Sequence, residues 1–267
     1  MRLLTPLVPD PAAPLARANP VAKLGAALVL LLVLFASLDL VTATVIGVAM
    51  LALLPWSGLR PSTMAARWWL IGLSAVSVAI ANTLLAAAQT GPPLLEVGPI
   101  RIGAGTALNG LGLAVRLLAI AMVGLLATAT SDPTELADAL IAQLRAPPRF
   151  AIGALAALRL VPLLAVEWQT IGMARRARGV EAGRSPLAAL RLLAGRLLAL
   201  LVAAVRRAAR MAIAMDARGF GALACRTSAR ESRMRPVDWA WIGGAVLLAA
   251  LAIAVSVAVG SWRFLIG

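Results

Sequence analysis

Met173-Ala-Arg-Arg-Ala-Arg-Gly-Val-Glu181 and Ala214-Met-Asp-Ala-Arg-Gly-Phe-Gly221 carry the same tripeptide, Ala-Arg-Gly, forty positions apart. Each copy closes a long helix-like run. Seventeen of the 25 basic residues lie between Arg145 and Arg235, so a mostly apolar chain gathers its positive charge around two matched helix ends. Arginine in a last helical turn complements the partial negative charge of the unpaired carbonyls. Glycine just beyond it can take the left-handed conformation that stops the helix. One such ending is an ordinary cap. Two, each with a small alanine beside the arginine, suit a pair of plugs: the alanine lets the tip enter a narrow groove, and the arginine offers a planar fork to an acidic residue inside it. Two equivalent plugs match a partner with two equivalent sockets.

The surroundings are membrane-like. Of the 267 residues 61% are hydrophobic, well above the roughly 45–50% apolar content of soluble domains. The long apolar runs mark an integral membrane protein. The net charge is +14, but aromatic residues make up only 4% and tyrosine is absent, so stacking platforms for nucleic acid are missing and no nucleic-acid partner is expected. Basic residues in cytoplasmic loops, and contact with the lipid bilayer, explain the charge better. There is no histidine and a single cysteine, Cys225. This leaves no metal cluster, no intrachain disulfide and no commonest general base. No cofactor is expected. The single lysine, Lys23, lies in no Gly-rich phosphate loop, so the chain has no nucleotide site of Walker type.

Taken in order, residues 1–20 form a Pro-rich segment without the pattern of a signal peptide. Asn19 and Pro20 suit the cap and first turn of a helix. Residues 21–129 hold four spans. The run 21–54 reads as two short or tilted spans joined at Asp39, followed by spans at 68–88 and 107–129, with an irregular Pro/Gly-rich loop over 91–105 between these last two. Arg116 lies within the fourth span, where a charge costs on the order of 2.5–3.5 kcal/mol, and is expected to face other helices or a polar pocket. Arg2, Arg17, Lys23, Arg60 and Arg67 fall on one side, which the positive-inside rule makes cytoplasmic. Asp132 and Pro133 start a short amphipathic helix. Two helical runs follow, 149–178, interrupted by Pro162 where a kink is expected, and 186–218. Both carry charges (Arg159, Glu167, Arg191, Arg196) that make them poor simple spans, and they read as long amphipathic helices on the cytoplasmic side. Residues 237–259 are the last span. The expected fold is an all-α integral membrane protein of about five transmembrane helices, a single domain over 1–267, with the basic block 130–236 inserted before the last span.

The ordered set Asn19-Pro-x-x-Lys23, Thr130-Ser-Asp-Pro-Thr-Glu-Leu136, Leu158-Arg159-x-x-Pro162 with Glu167, and the paired Ala-Arg-Gly motifs resembles the transmembrane T component of energy-coupling factor (ECF) transporters, from Asn19 to about Thr227. The resemblance implies a non-catalytic membrane subunit that joins two cytoplasmic ABC-type ATPases to a small substrate-binding membrane subunit importing a vitamin or transition-metal ion. It assigns ATPase docking to Ala177, Arg178, Gly179, Ala217, Arg218 and Gly219, with Arg159, Pro162, Glu167 and Asp216 as supporting residues of the coupling region. Glu167 and Asp216 also read as structural ion-pair partners of nearby arginines. It places the protein in the cell membrane with its N-terminus and coupling region cytoplasmic. The alternatives are a permease subunit of another ABC importer, a membrane enzyme, for which acid/base pairs are scarce, and a membrane scaffold without transport.

Overall fold

The computed structural model describes residues 12–59, 61–86, 90–97, 100–180, 185–221 and 232–262. The elements are α1 (Pro20–Ala36), α2 (Leu40–Leu53) with a short 3₁₀ turn at Leu54–Ser57, α3 (Pro61–Leu85), β1 (Pro93–Val97), β2 (Ile100–Gly103), α4 (Ala104–Ala129), α5 (Pro133–Gln143), α6 (Pro148–Ala177), α7 (Pro186–Ala217) and α8 (Pro236–Ala258). The chain divides into two compact units. One comprises residues 1–139 and 232–267, the other 140–231. The second is an insertion between the helices that build the first. Residues 1–11 of the Pro-rich segment and most of the basic stretch 226–236 lie outside the described residues.

Three helices start on a side-chain cap. Asn19 accepts from Val21 N–H at 2.9 Å, with Pro20 in the first turn. Asp39 accepts from Thr42 N–H at 2.7 Å and caps α2. Asp132 accepts from Thr134 N–H at 2.7 Å at the start of α5. These three caps satisfy backbone donors that a helix cannot satisfy internally.

In the first unit α1 packs on α8 and α4, α2 on α4 and α8, and α3 on α4. The core is Leu30, Leu34, Ile46, Met50, Met122, Val123 and Leu126, spaced by Ala27, Ala43, Ala119, Ala245, Ala249 and Ala252. The alanines let apolar helices approach closely, which matters where lipid is as apolar as the core. Gly110 of α4 takes this furthest: a Cβ there would lie 2.8 Å from the Ala79 carbonyl oxygen of α3.

The helix ends are joined through polar groups. The buried Asp238 carboxylate accepts from Asn19 N–H at 2.7 Å and from Arg235 N–H at 2.8 Å, tying the start of α1 to the start of α8. The Lys23 ammonium of α1 donates to Thr130 C=O at the end of α4, at 2.7 Å. Arg116 of α4 donates to Phe35 C=O in the last turn of α1, also at 2.7 Å. The fourth-span arginine thus faces another helix, as its insertion cost requires. At the other end of α8, Ser256 Oγ donates to Asp39 at 2.6 Å.

Two expectations are corrected. The 91–105 loop is not irregular throughout: β1 and β2 pair antiparallel, with Glu96 opposite Arg101 and Val97 opposite Ile100. The alternating Ile100-Arg-Ile102 and the short 97–100 connection favour a hairpin, and the Gly and Pro content masked that signal. Helix α6 runs without interruption through Pro162. There the ring removes the bond to Leu158 C=O, and the helix continues on both sides of it, so the run is not interrupted. By length and composition alone, six helices among the described residues could cross a membrane, beside the about five transmembrane helices and two long amphipathic helices expected. Both α6 and α7 are among them, while α1, at 17 residues, falls below that length. Scattered arginines lower neither helix's apolarity enough to exclude it. Apart from this hairpin the described residues are all-α, and the chain is a multi-pass membrane protein.

Two outcomes follow from these contacts. Asp238→Ala strands the buried Asn19 N–H, expected to cost roughly 1–3 kcal/mol, and releases the part-buried Arg235 N–H, which water can reach. Asp238→Asn, which keeps one acceptor, should lose less. Thermal unfolding of the purified protein in detergent measures both, and an unchanged midpoint for Asp238→Ala would refute the α1–α8 tie. Gly110→Ala is expected to destabilise by about 1–3 kcal/mol through overpacking against α3, read in the same assay with Gly124→Ala, where a Cβ meets nothing within 4 Å, as the neutral comparison.

Candidate functional site

The two Ala-Arg-Gly segments end α6 and α7 in the same way. After α6, Gly179 N–H donates to Arg176 C=O at 2.9 Å and Val180 N–H to Arg175 C=O at 3.0 Å, with Gly179 at φ +69°. After α7, Gly219 N–H donates to Asp216 C=O at 2.9 Å and Phe220 N–H to Met215 C=O at 3.1 Å, with Gly219 at φ +74°. This is the Schellman pattern, with glycine in the left-handed position and arginine at the cap residue before it. Arg178 and Arg218 take nearly identical backbone angles, φ −90° ψ 7° and φ −89° ψ 8°. Alanine at positions 179 or 219 would be strained by the positive φ, although the space is open.

Ala177, Arg178, Gly179, Ala217, Arg218 and Gly219 are all exposed. The closing hydrogen bonds engage only the backbone, and each arginine is exposed at a helix end with small residues on both sides.

The second unit sets the spacing of these tips. Helices α6 and α7 run antiparallel. Near their connection Arg175 Nη1 donates to Leu192 C=O at 2.8 Å, and Arg196 donates through Nε to Trp168 C=O at 3.1 Å, with Nη2 directed to the same oxygen. The Arg196 Cζ lies 3.9 Å from the centre of the Trp168 ring, a cation–π stack. Arg207 and Glu167 form an ion pair at 3.5 Å. At the far end, a Cβ on Gly221 would sit 3.3 Å from the Arg149 guanidinium, so the start of α6 lies beside the end of α7. The tips therefore stand at opposite ends of the pair, about 45 Å apart by helix length.

The supporting residues fall on the same two helices. Glu167 is engaged with Arg207, as expected of a structural ion-pair partner. Asp216 is exposed in the last turn of α7 and forms no ion pair among the described residues. Arg159 is exposed on α6 within the turn before Pro162. Sequence reading missed Trp168, Gly172, Arg175 and Gly195. The available signal was a glycine in each helix interior, which costs about 1 kcal/mol relative to alanine and therefore asks for a packing reason.

Beyond their contact, α6 and α7 are bare. No residue of α7 is buried, and α6 buries only Ala151 and Gly172. Phe150, Leu198 and Ile213 are each more than 60% exposed. Apolar surface on this scale is normal only against lipid or another protein. Among the described residues no group of three or more His, Cys, Asp or Glu side chains is placed to hold a metal ion.

Comparison with known proteins points the same way. The family model for CbiQ, described as a cobalt transport protein, matches residues 11–228. The energy-coupling factor transporter transmembrane protein EcfT of Exiguobacterium sibiricum is 32% identical over 218 residues, covering 76% of this chain and 80% of its own. That of Bacillus selenitireducens is 29% identical over 226 residues, covering 80% and 82%. That of Leuconostoc gelidum subsp. gasicomitatum is 30% identical over 191 residues, covering 68% and 67%. With the family match running from α1 through α7 and including both Ala-Arg-Gly segments, the chain belongs to the CbiQ family and is a transmembrane component of an energy-coupling factor transporter.

Proposed function

We propose that this chain is the coupling subunit of an ECF-type importer for a vitamin or transition-metal ion, and that Arg178 and Arg218 dock it to two cytoplasmic ABC-type ATPases. The observation that carries the reading is the identity of the two tips: same tripeptide, same Schellman closure, same exposed guanidinium, on opposite ends of one helix pair. A two-fold ATPase pair has two equivalent grooves, and one subunit with two equivalent plugs engages both. The small alanines and the backbone-only closure leave each arginine free to bind a groove carboxylate in bidentate fashion.

The remaining parts follow. The exposed apolar faces of α6 and α7 contact the small substrate-binding membrane subunit and lipid, so that movement of the ATPases at the tips is passed to that subunit. By the positive-inside rule Arg17, Lys23, Arg60 and Arg67 lie on the cytoplasmic side together with the tip-bearing segment. ATP is hydrolysed by the partners, since the single lysine of this chain serves a helix-end carbonyl. Arg159, Pro162, Glu167 and Asp216 act within the coupling helices and not on substrate.

The test is co-purification of ATPase subunits with the tagged chain in the membrane extract of a strain expressing the whole transporter. Wild type is expected to retain an ATPase pair. A charge-assisted hydrogen bond is worth about 1.5–3 kcal/mol, so Arg178→Ala or Arg218→Ala alone should weaken capture by roughly 10- to 100-fold at one socket. The Arg178→Ala/Arg218→Ala double variant should lose capture and substrate uptake together. Capture by the double variant at the wild-type level would reduce both motifs to helix caps.

A further inference from the structure

The contact between α6 and α7 has a reciprocal construction. Helix α6 contributes Gly172 and Arg175, and α7 contributes Gly195 and Arg196. Arg196 lies over Gly172 and Arg175 over Gly195: a Cβ on Gly172 would meet Arg196 Cζ at 2.7 Å, and one on Gly195 would meet Arg175 Nη2 at 3.2 Å. Each arginine then donates to a carbonyl one turn before the glycine it covers, Arg196 to Trp168 and Arg175 to Leu192. The spacing has a physical reason. A helical side chain leans back over the turn N-terminal to its own Cα. A side chain at 172 would shade the Trp168 carbonyl, and one at 195 the Leu192 carbonyl. Each glycine thus uncovers the acceptor that the other helix's arginine binds, and Trp168 adds a ring face for Arg196.

We propose that Gly172, Arg175, Gly195 and Arg196, with Trp168, form a clasp that pins the crossing of α6 and α7 and thereby sets the spacing of the Arg178 and Arg218 tips; as a statement about coupling, this rests on the docking reading above. These are positioning residues. They touch neither substrate nor ATPase and act through the two tips. The clasp sits close to one tip and far from the other. Gly172 is six residues from Arg178, about 9 Å, whereas Arg196 is 22 residues from Arg218, about 33 Å. Slippage at the clasp is therefore magnified at Arg218. The two glycines are not equivalent either. An added methyl at 172 must evict the Arg196 guanidinium from its carbonyl, while one at 195 asks Arg175 to give only a few tenths of an ångström.

The experiment places spin labels at Val180→Cys and Ala214→Cys, two exposed positions beside the tips, in a full-length Cys225→Ser background in nanodiscs, and measures the distance distribution by pulsed electron resonance. ATPase capture and coupled ATP turnover are measured on the same variants without labels. The labelled parent should give one narrow distribution. Gly172→Ala should broaden it as much as Arg196→Ala does, and Arg196→Lys, which loses the planar fork and the stack, should not restore it. Gly195→Ala should broaden it less, and Arg191→Ala, an exposed arginine five residues away, not at all. With the tips intact, ATPases should still be captured by the clasp variants while coupled turnover falls about tenfold, the loss expected of one charge-assisted hydrogen bond. A distribution for Gly172→Ala or Arg196→Ala that matches the parent overturns the clasp, as does equal broadening by Arg191→Ala. Failure of the docking reading is separately visible: the parent captures no ATPase, yet the clasp variants still broaden the distance.

Discussion

A cation inside an apolar helical protein needs an acceptor, and for four described cations of this chain that acceptor is a backbone carbonyl. With 25 basic residues and only 11 acidic ones, carboxylates cannot serve them all. Lys23 ends on Thr130 C=O, Arg116 on Phe35 C=O, Arg175 on Leu192 C=O and Arg196 on Trp168 C=O. The first two are reciprocal: α1 supplies a cation to the end of α4, and α4 supplies one to the end of α1. Carbonyls in the last turn of a helix have no intrahelical partner and carry the negative end of its dipole. A charge that is costly to bury and an orphan acceptor that is costly to leave unmade thus satisfy each other.

The carboxylates that are present work in the complementary direction. Asp238 gathers the N–H groups of Asn19 and Arg235, and Asp39 caps α2 while receiving Ser256. Both join the early helices to the last one, across more than two hundred residues of chain. The first unit is closed by its own two ends, so the inserted 140–231 segment can be organised separately. That segment contains an antiparallel helix pair with little buried surface, whose geometry rests on a few arginine contacts and one ion pair. Such a pair is incomplete without lipid or protein against its apolar sides, which is consistent with a component of a larger membrane assembly.

Much of this was legible beforehand because it is local. Asn19, Asp39 and Asp132 announce helix starts by cap chemistry, and Gly179 and Gly219 announce helix stops by their tolerance of positive φ. The expected spans differ from the observed helices by a few residues at most ends. What was misread was local signal of opposite sense in one stretch. The 91–105 region mixes Gly and Pro with alternating Ile100-Arg-Ile102, and pairing with a second strand decided in favour of a hairpin. Pro162 likewise reads as a break, but one lost hydrogen bond in a 30-residue helix leaves the rest of the ladder intact.

The amino-acid sequence by itself determined the membrane class, the helix ends and the identity of the two tips, because apolar run length, capping residues and a repeated tripeptide act over a turn or two of chain. Only the tertiary structure decided what each cation does. Nothing near Arg116 in sequence names Phe35, and nothing near Gly172 names Arg196. These pairings depend on which helix lies alongside and at what register. An exposed carbonyl is an acceptor that every residue carries, so its selection leaves no mark in the sequence beyond a glycine that uncovers it.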